Sequence, residues 1–378
     1  MQPLLARLHR YAGLTMAAFL FLAGLTGSII AFNKEIDRAL NPGLMTTATQ
    51  GAVLSPDALV RHLHQALPSA QVLIVPVTVA PGDAAMLRLM PRDGKSNFDE
   101  AYLDPVTGKL LGVRSWGQCC FAPERLMPFL YKFHYSLALP GVWGLWLMGG
   151  IAILWTLDCF TSFLRTLPPV FSWKQWKKAW VFKRGASGYR FTVDLHRVNG
   201  LWLWALLFML AVSSVALVLP QQVFRPLVSV FSPLKPGFGE MMVRHPVRKG
   251  QPLIGFDRAR DLAQSYFAQQ HRDATVHQIM QYGGTYGALY TKSGYDGESG
   301  LGYSVLYLDA YDGRVAVDDR PDAGSNGDRF IALQYPLHSG RIAGLAGRTS
   351  ISLMGGVVAM LSVTGVLIWL KKRRKPKR

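Results

Sequence analysis

Four stretches of this chain stay apolar for about 20 residues each, and no other feature narrows the possible folds as far. They run roughly over residues 11–32, 142–164, 200–219 and 350–370. A helix rises about 1.5 Å per residue, so about 20 residues cross the ~30 Å hydrocarbon core of a bilayer. Inside lipid each backbone N–H and C=O must be satisfied within its own segment, which makes four transmembrane helices the solution. Half of the 378 residues are hydrophobic and the mean hydropathy is +0.17, high for a water-soluble chain of this length. The first run is too long for a signal-peptide core of about 7–15 residues, and no small-x-small cleavage site follows it, so it reads as a retained helix.

The charge is placed as a membrane protein would place it. Of the net +18, most flanks one end of the runs: Arg7, Arg10, Arg165, Lys174, Lys177, Lys178, Lys183, Arg184, Arg190, Arg197 and the seven basic residues of the tail KKRRKPKR. Only Asp158 and Asp194 oppose them. Positive charge collects on the cytoplasmic side, which predicts N-in and C-in with both long connections outside. The outer segments are nearly balanced, which excludes a nucleic-acid face. The expected organisation is a first helix within 1–33, an outer module 34–128, a helix turn and second span 129–165, and a basic inner loop 166–190. A third helix 191–219, a second outer module 220–345, a fourth span 346–370 and the basic tail 371–378 complete it.

Cysteine is scarce. Cys119, Cys120 and Cys159 cannot build a disulfide framework or a thiolate metal site. The adjacent pair is read as two small half-buried thiols.

The chain reads as a duplication. LHRYAGL at 8–14 is answered by LHRVNGL at 195–201, YLDPVTGKLLG at 102–112 by YLDAYDGRVAV at 307–317, and LMGG at 147–150 by LMGG at 353–356. His134 and His338 stand 204 residues apart. Shared anchors in one order indicate two halves, each helix–module–helix. In the first module Ser55 reads as an N-cap with Pro56 at the first helical position, and Leu59, Leu63 and Leu67 share a face. Strands follow at QVLIVPVTV, AMLRLM and FDEAYLD. In the second module FDRARDLAQSYFAQQ is the helix, and ATVHQIMQY, GALYTK and YSVLYLD are strands. The fold class is thus an integral membrane four-helix protein with two small α+β modules outside.

A helix followed by strands ending in Tyr-x-Asp-x-x-x-Gly resembles the PepSY module. LHRYAGL opening a membrane helix that runs to LTGSIIAF is similar to the PepSY-associated transmembrane family, over nearly the whole chain. That resemblance implies a bacterial inner-membrane ferric-siderophore reductase, of the kind that acts on ferrioxamine, with two haems b held by four histidines at its membrane helices.

Of nine histidines, four lie at helix mouths: His9 and His196 at the inner ends of the first and third spans, His134 and His338 just outside the second and fourth. The duplication makes two pairs, one at each face, with each pair drawn from both halves. Two facing imidazoles saturate a haem iron, which suits electron transfer. Gly13 and Gly200, each four residues after its histidine, leave room for a flat macrocycle, while Gly24 and Gly27 suit close helix packing. Arg10, Arg197, Lys132 and Arg341 stand where they can meet propionates, although topology alone also accounts for the arginines. Zinc fits poorly, because no cysteine and no obvious acidic partner accompanies either pair. His62 and His64 are read as solvated, and His245, His271 and His277 as surface residues of the second module.

The sequence lacks a GxGxxG between strand and helix, so no flavin or nicotinamide site is visible and the electron donor is expected to be a cytoplasmic reductase or quinol. The acceptor implied by the resemblance is a ferric siderophore outside, whose hard Fe³⁺ is released from its oxygen ligands on reduction. Tyr282, Tyr286, Tyr290, Tyr295 and Tyr303 are candidates to line its cleft, or are ordinary strand tyrosines. The alternative is a non-catalytic membrane-anchored protein whose modules bind a partner.

Overall fold

The computed structural model describes residues 2–373 apart from 92–97, 238–239, 241–242, 295–296 and 298. Tyr295 and the last five residues of the basic tail therefore lie outside the described residues. The chain divides into two compact units. One comprises Met1–Phe32, Leu130–Val230 and Gln334–Arg378, and the other Asn33–Phe129 and Phe231–Leu333.

The first unit is helical. Its long elements are α1 (Gln2–Ile30), α4 (Trp143–Thr166) and α9 (Gly344–Arg373), each long and apolar enough to cross a membrane. The third expected span is not one rod. It is α5 (Gly188–Trp202) and α6 (Trp204–Val218), bent by 71° at Leu203. The two pieces differ in the surroundings they favour. Helix α5 carries Arg190, Asp194 and Arg197, whereas α6 has no charged residue. Helices α1 and α9 meet through small residues: a Cβ on Gly24 would lie 2.5 Å from the Gly355 carbonyl oxygen. Ser28 Oγ donates to the Ser352 carbonyl at 2.6 Å and Ser352 Oγ returns a bond to the Ser28 carbonyl at 2.9 Å. Such seams let backbones approach closely where lipid offers no hydrophobic drive. Leu207, Leu210, Met354 and Val358 form a core beside them. In the basic loop, Trp173, Trp176, Trp180 and Trp202 run in a chain of ring contacts 5.0–5.3 Å apart beside Lys174, Lys177 and Lys178. Tryptophan with lysine is the composition of a membrane–water boundary.

Two shorter helices carry His134 and His338: α3 (Pro123–Ser136) and α8 (Asn326–Ser339). Pro336 lies inside α8, and Pro128 lies inside α3.

The second unit holds one sheet where two separate modules were expected. Its strands are β1 (Ala70–Pro76), β2 (Ala85–Pro91), β3 (Glu100–Leu103), β4 (Leu110–Arg114), β5 (Ala274–Tyr282), β6 (Thr285–Lys292), β7 (Ser304–Asp309) and β8 (Val315–Asp319). The order β4-β3-β2-β1-β5-β6-β7-β8 is antiparallel throughout, and β1 joins β5 with Val75 opposite Ile279. An unpaired edge presents bare N–H and C=O groups, and joining the two inner edges removes both. Helices α2 (Pro56–Ala66) and α7 (Phe256–Gln269) supply Leu59, Leu63, Ala259, Ala263 and Phe267 to one core with Val75, Leu87, Ile279 and Leu306 of the strands. Ser55 caps α2 by accepting from the Ala58 N–H. Asp57, two residues on, accepts the Phe256 and Asp257 N–H groups at the start of α7. In return the hydroxyl of Ser55, the N-cap of α2, donates to Asp257 at 2.7 Å, which ties the two helix starts together.

The structure decides one open reading and corrects another. Tyr286 and Tyr290 are 1% and 3% exposed and belong to the core, where they pack on Phe256 and Phe267. Alternation along β6 turns them toward the helices, and burial pushes both hydroxyls up to about 12. His62 and His64 are half-buried rather than solvated, and His64 Nε2 bonds the Ala70 carbonyl at 3.0 Å. Cys119 is exposed and Cys120 half-buried. The remaining cysteine, Cys159, is buried in the helical unit.

Candidate functional site

Helices bring the four histidines of the helix mouths together in the two expected pairs. His9 on α1 faces His196 on α5, ring centres 6.1 Å apart and planes at 55°. His134 on α3 faces His338 on α8, ring centres 6.2 Å apart and planes at 61°. With metal–imidazole bonds of about 2.0–2.1 Å and a ring nitrogen about 1.1 Å from its ring centre, two imidazoles sharing one ion in line have centres about 6.3 Å apart. Both pairs have that separation.

The side chains behind the rings say which nitrogen is presented. His134 Nδ1 lies 3.0 Å from Thr26 Oγ1, His338 Nδ1 2.9 Å from Ser213 Oγ, and His196 Nδ1 3.0 Å from Thr364 Oγ1. Each hydroxyl already donates its proton to a carbonyl one turn back in its own helix: Thr26 to Leu22, Ser213 to Leu210 and Thr364 to Met360. With its proton on that carbonyl the hydroxyl accepts from the ring, an arrangement that puts the hydrogen on Nδ1 in all three. His9 Nδ1 meets the Asp158 carboxylate at 2.9 and 3.1 Å, and a carboxylate also accepts. All four rings are therefore the Nδ1–H tautomer. Nε2 of each makes no hydrogen bond among the described residues and holds a free lone pair. Partners that fix tautomer and ring orientation in this way are what metal-ligating histidines have.

Glycines give two of the rings their seats. A Cβ on Gly27 would lie 3.0 Å from His134 Cε1, and one on Gly365 would lie 3.3 Å from His196 Cε1. Both follow the threonine that bonds the ring, so Thr26-Gly27 and Thr364-Gly365 do the same work. The suggestion that Gly27 serves helix packing is thus corrected, whereas Gly24 does serve it. Gly13 and Gly200 have no atom within 4 Å of a would-be Cβ and open onto a cavity.

That cavity, of about 830 Å³, lies between the helices of the first unit and is lined by both His9 and His196. Its volume falls within the ~300–1,000 Å³ of cofactor and ligand pockets. Its walls are apolar along Met16, Leu20, Trp155, Leu207 and Val358, and cationic at Arg10, Arg165 and Arg197. Arg10 and Arg165 have no carboxylate partner among the described residues. Arg197, by contrast, bonds Asp194 at 2.9 Å, and its Nε is buried without a partner. Of the remaining candidates for anion contact, Arg341 lies over the Tyr335 ring at 5.8 Å. Lys132 is half-buried, two residues before His134.

Sequence reasoning missed the residues behind the rings. Asp158 entered it only as a charge opposing the basic side, and no acidic partner was expected at either pair. Equal spacing was the available signal. Thr26 follows His9 by 17 residues and Ser213 follows His196 by 17. Asp158 and Thr364 are 206 apart, the same offset as the two LMGG segments. Seventeen residues of helix are about 25 Å, so α1 meets the two pairs at opposite ends. In the second unit, His277 bonds Thr291 at 2.7 Å and Thr78 at 3.2 Å, and His245 lies 4.0 Å from Asp309. No group of three or more His, Cys, Asp or Glu capable of holding a metal stands together among the described residues.

Long apolar helices, small-residue seams and histidines held between helices define a polytopic membrane protein with paired imidazole sites. Residues 6–372 match the PepSY-associated TM region, and the chain belongs to that family. No curated protein matches it.

Proposed function

We propose that this chain is a dihaem b electron-transfer protein of a bacterial inner membrane, N-in and C-in, which reduces ferric siderophores of the hydroxamate type outside. In this reading a cytoplasmic reductase or quinol is the donor, and the chain is a duplicated helix–module–helix unit. The observation that carries the proposal is the pair of histidine pairs, each at bis-imidazole separation with four bare Nε2 atoms aligned by Nδ1–H bonds. Two protein ligands without a third suit an iron whose other four positions are filled by its own macrocycle, and not a zinc ion that takes four from the protein.

The residues divide the work as follows. His9 and His196 would hold one haem and His134 and His338 the other, which supplies one-electron chemistry at two depths. Thr26, Ser213, Thr364 and Asp158 keep the rings in the ligating tautomer. Gly13 and Gly200 leave the cavity open beside the inner pair, and the apolar wall excludes water. Arg10 and Arg165 would be available to the carboxylates of a haem held there, more so than Arg197, which is engaged by Asp194.

The test is an absorption spectrum and a haem count on purified protein from haem-replete cells. Two haems b per chain are expected, and one after His9→Ala or His196→Ala, with reduction of an external ferric hydroxamate lost in both variants. A colourless protein would leave the partner-binding alternative standing and end the reductase proposal.

A further inference from the structure

The two halves differ in charge at one of the two equivalent positions behind the rings. Thr26 and Ser213 are both hydroxyls at equivalent positions. Asp158 and Thr364, which are equivalent by their offset of 206, are a carboxylate and a hydroxyl. We propose, on the haem reading above, that Asp158 is a positioning residue that lowers the reduction potential of the His9/His196 site and so biases electrons to leave it.

The chemistry follows from the contacts. Asp158 is 5% exposed and makes no ion pair with Arg or Lys; its partners are His9 Nδ1 and the Thr161 hydroxyl, which donates at 2.6 Å. Both partners donate, so the group acts as an acceptor on both sides. A carboxylate draws the Nδ1 hydrogen more strongly than a neutral hydroxyl does, in a charge-assisted bond. Electron density left on the ring makes Nε2 the stronger ligand, as outer carboxylates do for metal-bound imidazoles. A stronger ligand favours Fe³⁺ over Fe²⁺. A buried negative charge close to the iron acts in the same sense by Coulomb's law. The gain of one electron by the iron needs no bond change in the chain. His134 and His338 have only the hydroxyls Thr26 and Ser213 behind them, so this bias is absent at the other site. Arg10 and Arg165 line the same cavity and act in the opposite sense. They are unchanged by substitution at 158, so the comparison isolates the carboxylate.

The experiment is a potentiometric titration of the full-length, haem-loaded protein in detergent, followed at the α-band. Asp158→Thr installs the residue that the second half carries. One of the two midpoint potentials is expected to rise by at least a tenfold change in the ferrous/ferric equilibrium, 59 mV for one electron, with the other unmoved. Asp158→Glu, which keeps the carboxylate, should stay near the unsubstituted protein. A merely structural role would alter haem content or spin state without moving the potential of haem that remains bound. If Asp158→Thr fails to retain haem, Thr364→Asp decides: the same potential should fall. Two haems with both potentials unmoved, or moved equally, would overturn the proposal. An absence of haem in the unsubstituted protein would instead overturn the function proposed above.

Discussion

Removing the hydroxyl of Thr26 is the most direct probe of how the His134 ring is held. Thr26→Val preserves shape and removes one acceptor. The residue is 7% exposed and its Oγ1 lies 3.0 Å from His134 Nδ1, so the ring N–H would lose its hydroxyl acceptor and be left with the Ala23 carbonyl alone, largely without water. A buried donor that loses a partner costs about 1–3 kcal/mol. At 1.4 kcal/mol per factor of ten that is a roughly 5- to 150-fold loss, and outer-shell substitutions at metal sites typically cost about 10–100-fold in affinity. On the proposed haem reading, the change is expected in the rate of haem loss more than in the content after purification. The assay is transfer of haem from the variant to excess apomyoglobin, resolved into its two phases. One phase should accelerate about tenfold or more, and Thr26→Ser should restore it. Thr364→Val should accelerate the other phase by a similar factor, since Thr364 serves His196 at the same distance. If Thr26→Val leaves both phases unchanged, or accelerates both equally, the hydroxyl does not hold the ring and the tautomer argument fails.

Gly27→Ala places a methyl 3.0 Å from His134 Cε1, an overpacking of the kind that costs about 1–3 kcal/mol, whereas Gly13→Ala meets nothing within 4 Å. Haem loss should therefore accelerate in the first variant and not in the second, measured by the same transfer assay. In the second unit Arg114 bonds Asp37 at 2.8 Å and also Glu100, with all three side chains under 10% exposed. Arg114→Ala leaves the buried Asp37 carboxylate without a cation, while Glu100 keeps Arg88 at 2.9 Å, and should destabilise the unit by about 3–5 kcal/mol, read from its denaturant midpoint. For topology, alkaline phosphatase fused after the last residue should be inactive, and fused within residues 315–319 active; the reverse pattern would contradict N-in and C-in.

The span lengths, the N-cap at Ser55 and the pairing of His9 with His196 were legible in the sequence because each rests on a local rule. Apolar length reports a bilayer, Ser-Pro reports a helix start, and a repeated heptad reports two equivalent helix mouths. The joining of β1 to β5 was not legible, because two modules 200 residues apart carry no local sign that their edges will meet. Tyr286 and Tyr290 could equally line a cleft or fill a core; the register of β6 against α7 decided for the core. The bend at Leu203 falls within what reads as continuous apolar sequence from Gly200 onward. The least legible were Asp158, Thr26, Ser213 and Thr364. Each meets its histidine across 108 to 168 residues, through a bond that depends on two helices packing at one rotation and depth. Composition and periodicity specify which residues are available for a site. The direction in which a side-chain oxygen points is decided only by packing, because a hydrogen bond is lost with an ångström or so of displacement while hydrophobic burial tolerates it.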